Sequence, residues 1–201
     1  MSETSLAQHV TSIEAGDNVV ATAFLGRTPA FALADGTILL AGIGEEKRVK
    51  AHEDGAILSA ISDGKRLFTA GDDGLLVATD AEGRCETIAD EKGKWIDALT
   101  LRDDGAMAWS AGKQVRARDA KGVVKNFDAP SAVRGLCFLP KGYRLAIAHY
   151  NGASLWFPNA GDPAFLEWKG SHLDVTVSPD GRFLVTSMQE NMLHGWRLAD
   201  G

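Results

Sequence analysis

The chain has 201 residues, 45% hydrophobic and 24% charged, with a formal net charge of −6 at pH 7. That length can bury a substantial core. The acidic surplus, with Lys and Arg scattered, argues against the basic stripe of a nucleic-acid-binding protein. No stretch approaches the roughly 18 apolar residues of a membrane-spanning helix, and Cys85 and Cys137 are too few for a disulfide framework. The first residues, Met1 to Ser5, show no basic n-region leading into an apolar core, so a reduced, cytoplasmic protein is expected.

Read in chain order, short apolar runs alternate with turn signals. The first unit runs roughly from Val19 to Gly42 around Asp35-Gly36. The second places Ala56-Ile57-Leu58, the turn Ser62-Asp63-Gly64, Arg66 to Thr69, the turn Asp72-Asp73-Gly74, and Leu75 to Ala78. The third has Trp95 to Leu99, Asp103-Asp104-Gly105, Ala106 to Trp109, and Val115 to Arg118. The fourth reads Val133 to Phe138, Pro140-Lys141-Gly142, Tyr143 to Ala148, Asn151-Gly152 and Ser154 to Trp156. The fifth reads Leu173 to Val177, Ser178-Pro179-Asp180-Gly181, Arg182 to Thr186, and Met192 to Trp196. Apolar and β-branched runs broken by Asp-Gly, Asn-Gly and Pro-Asp-Gly turns predict antiparallel strands joined by hairpins, and no window holds a helical period.

Gly44, Gly83, Gly122, Gly161 and Gly201 recur about every 40 residues, the mark of a stacked repeat. A fourth, half-polar strand is expected around each interval, at Arg48-Val49-Lys50, Glu86-Thr87-Ile88, Val123-Val124-Lys125 and Phe165-Leu166-Glu167. Four strands per period predict an all-β fold of about five four-stranded propeller blades in one domain, residues 1–201. The units run over 14–44, 45–83, 84–122, 123–161 and 162–201, with 1–13 an N-terminal segment.

At these turns the chain resembles the WD40 repeat family. The fifth unit fits best, with Ser171-His172 where the family has Gly-His, Ser178-Pro179-Asp180-Gly181 as the first turn, and Trp196 where it has Trp-Asp. The second unit has Ala51-His52 and Ser62-Asp63-Gly64 but Thr79-Asp80 in place of Trp-Asp; the third has Arg118-Asp119 there and the fourth Trp156-Phe157. The run from Pro140 to Trp196 is most similar to bacterial WD40 proteins of the alphaproteobacterial type. The resemblance implies a seven-bladed ring. Five units then read as an incomplete ring, the N-terminal portion of a longer propeller; the other reading is a closed five-bladed ring in which Leu6 to Ile13 supplies the closing strand. An open arc would leave unpaired strand edges, and association of the isolated chain is expected.

The resemblance further implies a structural hydrogen-bond network: His52, Thr69 and Asp73 in the second unit, and His172, Thr186, Glu190 and Trp196 in the fifth. No His or Cys spacing suits a metal, neither Asp-Asp-Gly continues into a calcium loop, and no phosphate loop or nucleophile elbow is present. No cofactor is expected. The face carrying the loops into first strands and between second and third strands holds Trp95, Arg134, His149, Tyr150, Met188 and Gln189, residue types that anchor protein interfaces. Trp109 is expected in the core between blades, Cys137 buried, Cys85 near an outer edge, and Trp168 on an outer segment. The expected function is non-enzymatic scaffolding of protein partners, without nucleic acid or membrane. The alternative is a propeller hydrolase or lyase with carboxylates near the axis.

Overall fold

The computed structural model describes residue 10 and residues 12–42 and 45–198, and every regular element among them is a β-strand. The first sheet contains Val19–Leu25 (β1), Thr28–Leu33 (β2), Thr37–Gly42 (β3) and Glu45–Lys50 (β4), paired in that order. The second repeats the meander with Ile57–Ser62 (β5), Arg66–Gly71 (β6), Leu75–Asp80 (β7) and Cys85–Asp90 (β8). The third does so with Ile96–Leu101 (β9), Met107–Ala111 (β10), Gln114–Arg118 (β11) and Val124–Asp128 (β12). All neighbouring strands run antiparallel, joined by short connections among which two- and three-residue Gly turns, such as those after β10 and β5, make tight hairpins.

The fourth sheet has five strands, Val133–Phe138 (β13), Leu145–Trp156 (β14), Ala164–Val177 (β15), Phe183–Met188 (β16) and Met192–Arg197 (β17). Strand β14 folds back within itself. His149 Nε2 lies 2.8 Å from Ser154 Oγ, whereas five residues of straight strand would separate them by about 16 Å. Asn151 at φ 65° and Gly152 at φ 138° make the reversal. A Cβ on Gly152 would sit 2.1 Å from the Leu166 carbonyl oxygen, so no other residue fits. Strand β15 changes partner along its length: residues 164–167 pair with β14 and residues 172–177 with β16. The sheet is therefore a fourth blade and the first three strands of a fifth, joined by one unbroken strand.

The glycine interval marks the turn from third to outer strand. Gly83 lies between β7 and β8, Gly122 between β11 and β12, and Gly161 between β14 and β15; Gly44 and Gly201 fall outside the described residues. Each outer strand thus belongs, in sequence, to the unit after the blade it completes.

There is no single central core. Four apolar layers each fill the gap between consecutive blades. Leu25, Ile38 and Leu40 of the first blade meet Ile57 and Leu67 of the second. Phe68 and Leu76 meet Ile96, Met107 and Trp109. Ala108, Val115 and Ala117 meet Val133, Leu145 and Ile147, and Ala146, Ala148 and Ala153 meet Val175 and Leu184. Adjacent residues of one strand, such as Leu67 and Phe68, serve opposite layers because side chains alternate across a strand. Several second and third strands, such as β6, β7 and β10, are consequently buried along nearly their whole length, while outer strands β4, β8 and β12 keep a wet face. The inner strands β1, β5, β9, β13 and the second half of β15 follow one another around the inner rim, each packed on the next, and the described arc does not close from the fifth blade to the first. Most of Leu6 to Ile13 lies outside the described residues.

Candidate interaction surface

All five inner strands carry a bulge at the same place. The register slips at Val20, Leu58, Asp97, Arg134 and Leu173, each facing the end of its blade's second strand. A bulge adds an unpaired residue and re-aims its side chain. Of these five, Val20, Leu58 and Leu173 are each 38% exposed, Arg134 is exposed, and Asp97 is half-buried. Burial pushes the Asp97 carboxyl above the usual carboxylate range, and the neighbouring Arg134 guanidinium opposes that rise. Of this rim the sequence reading found only Arg134. A bulge is a property of cross-strand register, which no single strand's pattern reveals.

Arg134, Tyr150 and Gln189 come together with Leu173 and Ser131 around a shallow cleft of about 220 Å³ between the fourth and fifth blades. Tyr150 is 53% exposed, and its amide donates to Ser131 Oγ at 2.9 Å. Trp95, 60% exposed, stands at the same end of the third blade, ahead of β9, and does not line that cleft.

Two residues expected on this face are not on it. His149 is 4% exposed and Met188 5%. Both pair with the inner-strand residue just before the bulge, His149 with Val133 and Met188 with His172, and that slot points between blades. His149 Nδ1 lies 2.9 Å from the Tyr150 carbonyl oxygen and so carries the proton, leaving Nε2 to accept from Ser154. Burial holds its pKa below the ordinary histidine value, and the nearby His172 adds to the effect.

In the second blade, His52 Nδ1 stands 3.0 Å from both carboxylate oxygens of Asp73, and Nε2 2.9 Å from Thr69 Oγ1. Asp73 also accepts the Leu75 amide at 2.9 Å, so the turn that supplies it is fixed from both sides. The fifth blade differs from the expected set. His172 Nδ1 faces Thr186 Oγ1 at 2.7 Å, but Nε2 donates to the Trp168 carbonyl at 2.9 Å. Glu190 stays out, accepting the Ser171 amide instead at 3.1 Å. Trp196 stacks obliquely on the His172 ring at 5.7 Å and meets His194 edge-on at 4.4 Å.

The two histidines are therefore not equivalent. His52 belongs to the connection before β5, whereas His172 is itself a strand residue, in the slot held by Ile57, Ile96 and Val133 elsewhere. The link from outer to inner strand is shorter in β15, which brings the histidine into the strand. Thr69 and Thr186 do share one register, two residues before the one paired with the pre-bulge position. In the third blade that register holds Trp109, whose indole N–H donates to Glu91 at 2.8 Å; Glu91 also pairs with Arg116 at 3.3 Å. In the second, third and fifth blades this register is thus held by a polar tie, built from different residues each time.

His52, Asp73 and Thr69 have the order of a catalytic triad, yet Thr69 and His52 are both 0% exposed, so no substrate reaches the hydroxyl. No group of three or more His, Cys, Asp or Glu side chains among the described residues is arranged to hold a metal ion. Cys137 is half-buried, its thiol pushed up by burial, and Cys85 is exposed on the outer strand β8. Trp168 is 46% exposed and stacks on His194 at 3.9 Å.

No protein-family model matches the sequence, and no curated protein sequence matches it. Among solved structures 1089 chains match, so the architecture is a common one that singles out no activity. One of them, from a crystal structure of the mitotic checkpoint complex, aligns with a TM-score of 0.71 at 20% identity, over 90% of this chain and 62% of that chain. The chain therefore spans less than two thirds of that neighbour's length. The likeness shows the fold, an all-β WD40-like propeller arc.

Proposed function

We propose that the chain is a non-enzymatic, cytoplasmic protein-interaction scaffold of the WD40 type, of bacterial origin, that presents residues from successive blades at the bulged end of its inner strands. The observation that carries this reading is the convergence of exposed Arg134, Tyr150, Gln189 and Leu173 on one cleft built by two blades. Arg and Tyr are the residue types enriched among the anchors of protein interfaces, and strands anchored by interblade layers hold their backbones in place before binding. That the neighbour belongs to the mitotic checkpoint complex agrees with such a role at the level of the fold.

Affinity capture of the full-length protein from its own cells, beside an Arg134→Glu/Tyr150→Ala variant, tests it. A partner recovered with the wild type and lost with the variant is expected. Equal recovery from both would remove this face from the reading. The half-buried Asp97 on the same rim, its carboxyl pushed up by burial, favours one second reading, a hydrolase or lyase. In that case Asp97→Asn would abolish turnover and leave partner recovery intact.

A further inference from the structure

At the opposite end of the blades lies a second cleft, about 580 Å³, enclosed between the fourth and fifth blades and lined by Lys141, Arg144, Arg182 and Arg197 over an apolar wall that includes Phe157 and Leu198. Both its sides are described blades in mutual contact: a Cβ on Gly181 would meet Pro140 Cδ at 3.7 Å. Four cations gather here in a chain whose net charge is −6. The one carboxylate on the cleft, Asp180, is committed to its own turn, accepting Ser178 Oγ at 2.6 Å and the Arg182 amide at 3.0 Å. Lys141, Arg144 and Arg197 enter no ion pair among the described residues, whereas Arg66, Arg84, Arg102 and Arg116 each have a carboxylate. Arg144 is also pre-positioned. Its Nε donates to the Lys141 carbonyl at 2.9 Å and its guanidinium carbon stands 5.7 Å from the centre of the Phe157 ring, which leaves the terminal nitrogens for a ligand.

We infer that this cleft binds a phosphorylated peptide segment, the phosphate among Lys141, Arg144 and Arg197 and an adjacent apolar side chain against Phe157 and Leu198. A doubly charged phosphate suits several converging cations better than one carboxylate would, and guanidinium forks match its oxygens. The apolar wall calls for more than a bare anion. The site stands at the other end of the blades from Arg134 and Tyr150 and does not depend on the reading of that face.

The test is fluorescence anisotropy on the full chain with a fluorescein-labelled peptide, Gly-Glu-phosphoserine-Leu-Gly, its serine counterpart, a form with Ser in place of Leu, and tripolyphosphate as competitor. The phosphopeptide is expected to bind at least about tenfold more tightly than the serine peptide, and less tightly as salt rises. Lys141→Glu/Arg197→Glu should lose at least about tenfold and Lys141→Gln/Arg197→Gln somewhat less, both with unchanged melting because these side chains lie at the surface. Arg134→Glu/Tyr150→Ala should bind as wild type. Equal binding of the phosphorylated and serine peptides, or indifference to both charge variants, would overturn the site. Tripolyphosphate competing as well as the phosphopeptide, together with no loss from replacing Leu, would overturn the peptide as its ligand.

Discussion

The second and fifth blades start from the same sequence signals and arrive at different ties. Both have a histidine close to the start of the inner strand's pairing and a threonine at one register of the second strand, Thr69 and Thr186. In the second blade the His52 ring enters from the linker over Gly71, where a Cβ would lie 2.6 Å from both His52 Nδ1 and Asp73 Oδ1. In the fifth blade the equivalent of Gly71 is the buried Met188, and the histidine comes from inside the strand. Between these two blades the threonine's register is what stays constant. The rest adapts to the length of the linker, and a vacated space is filled by either a ring or a thioether.

This comparison breaks most readily at Gly71. Gly71→Ala should cost about 3 kcal/mol in denaturant unfolding, since it overpacks the site and displaces two hydrogen-bonded partners. Met188→Ala, at the equivalent position, should cost about 2–3 kcal/mol for the opposite reason, a cavity. If Gly71→Ala is neutral, the space over Gly71 is not what dictates glycine. Next come the rings themselves. His52→Ala and His172→Ala should each cost about 1–3 kcal/mol, with coupling to Thr69→Val and Thr186→Val respectively in double-mutant cycles. Absence of coupling in the fifth blade alone would make His172 a packing residue.

The acids separate the blades further. Asp73→Asn should cost about 1 kcal/mol, while Glu190→Gln, touching only an exposed amide, should cost less than about 0.5 kcal/mol. The smallest effect is on pH. His52 has a carboxylate partner, but His149, with its pKa held down by burial, has only neutral ones. The folded state refuses a proton at His149 that the unfolded chain accepts. Its contribution is therefore constant above about pH 6.5 and stability falls as the pH drops below that value. His194, also shifted down by desolvation, acts in the same direction. Melting temperature measured from pH 7.5 to 5 should decline, and His149→Gln should flatten part of the slope.

The strands were legible because each is bounded by residues whose turn chemistry is local. Asp63-Gly64, Asp104-Gly105 and Asp180-Gly181 announce their hairpins without knowledge of the rest of the chain. Thr69 and Asp73 were named through the resemblance to the WD40 pattern, and the structure brings both onto His52. What escaped depends on residues far away in sequence. Burial of His149 and Met188 follows from the inner-strand residues opposite them, Val133 and His172. The rim of bulged residues follows from a one-residue slip against a partner strand, and the lysine and arginines of the second cleft come from two separate turns and a strand end. The exchange of Glu190 for a backbone carbonyl as the partner of His172 turns on a linker only a few residues shorter, too small a change to read from spacing.

Strand β15 has a consequence for motion. Where the first three blades are joined by connections that lie outside any strand ladder, the fourth and fifth share one continuous strand whose two halves are hydrogen-bonded on different sides. Neither blade can fray without dragging the other's ladder, so slow amide exchange should report a single opening event spanning residues 133–197, with the earlier blades free to breathe one at a time.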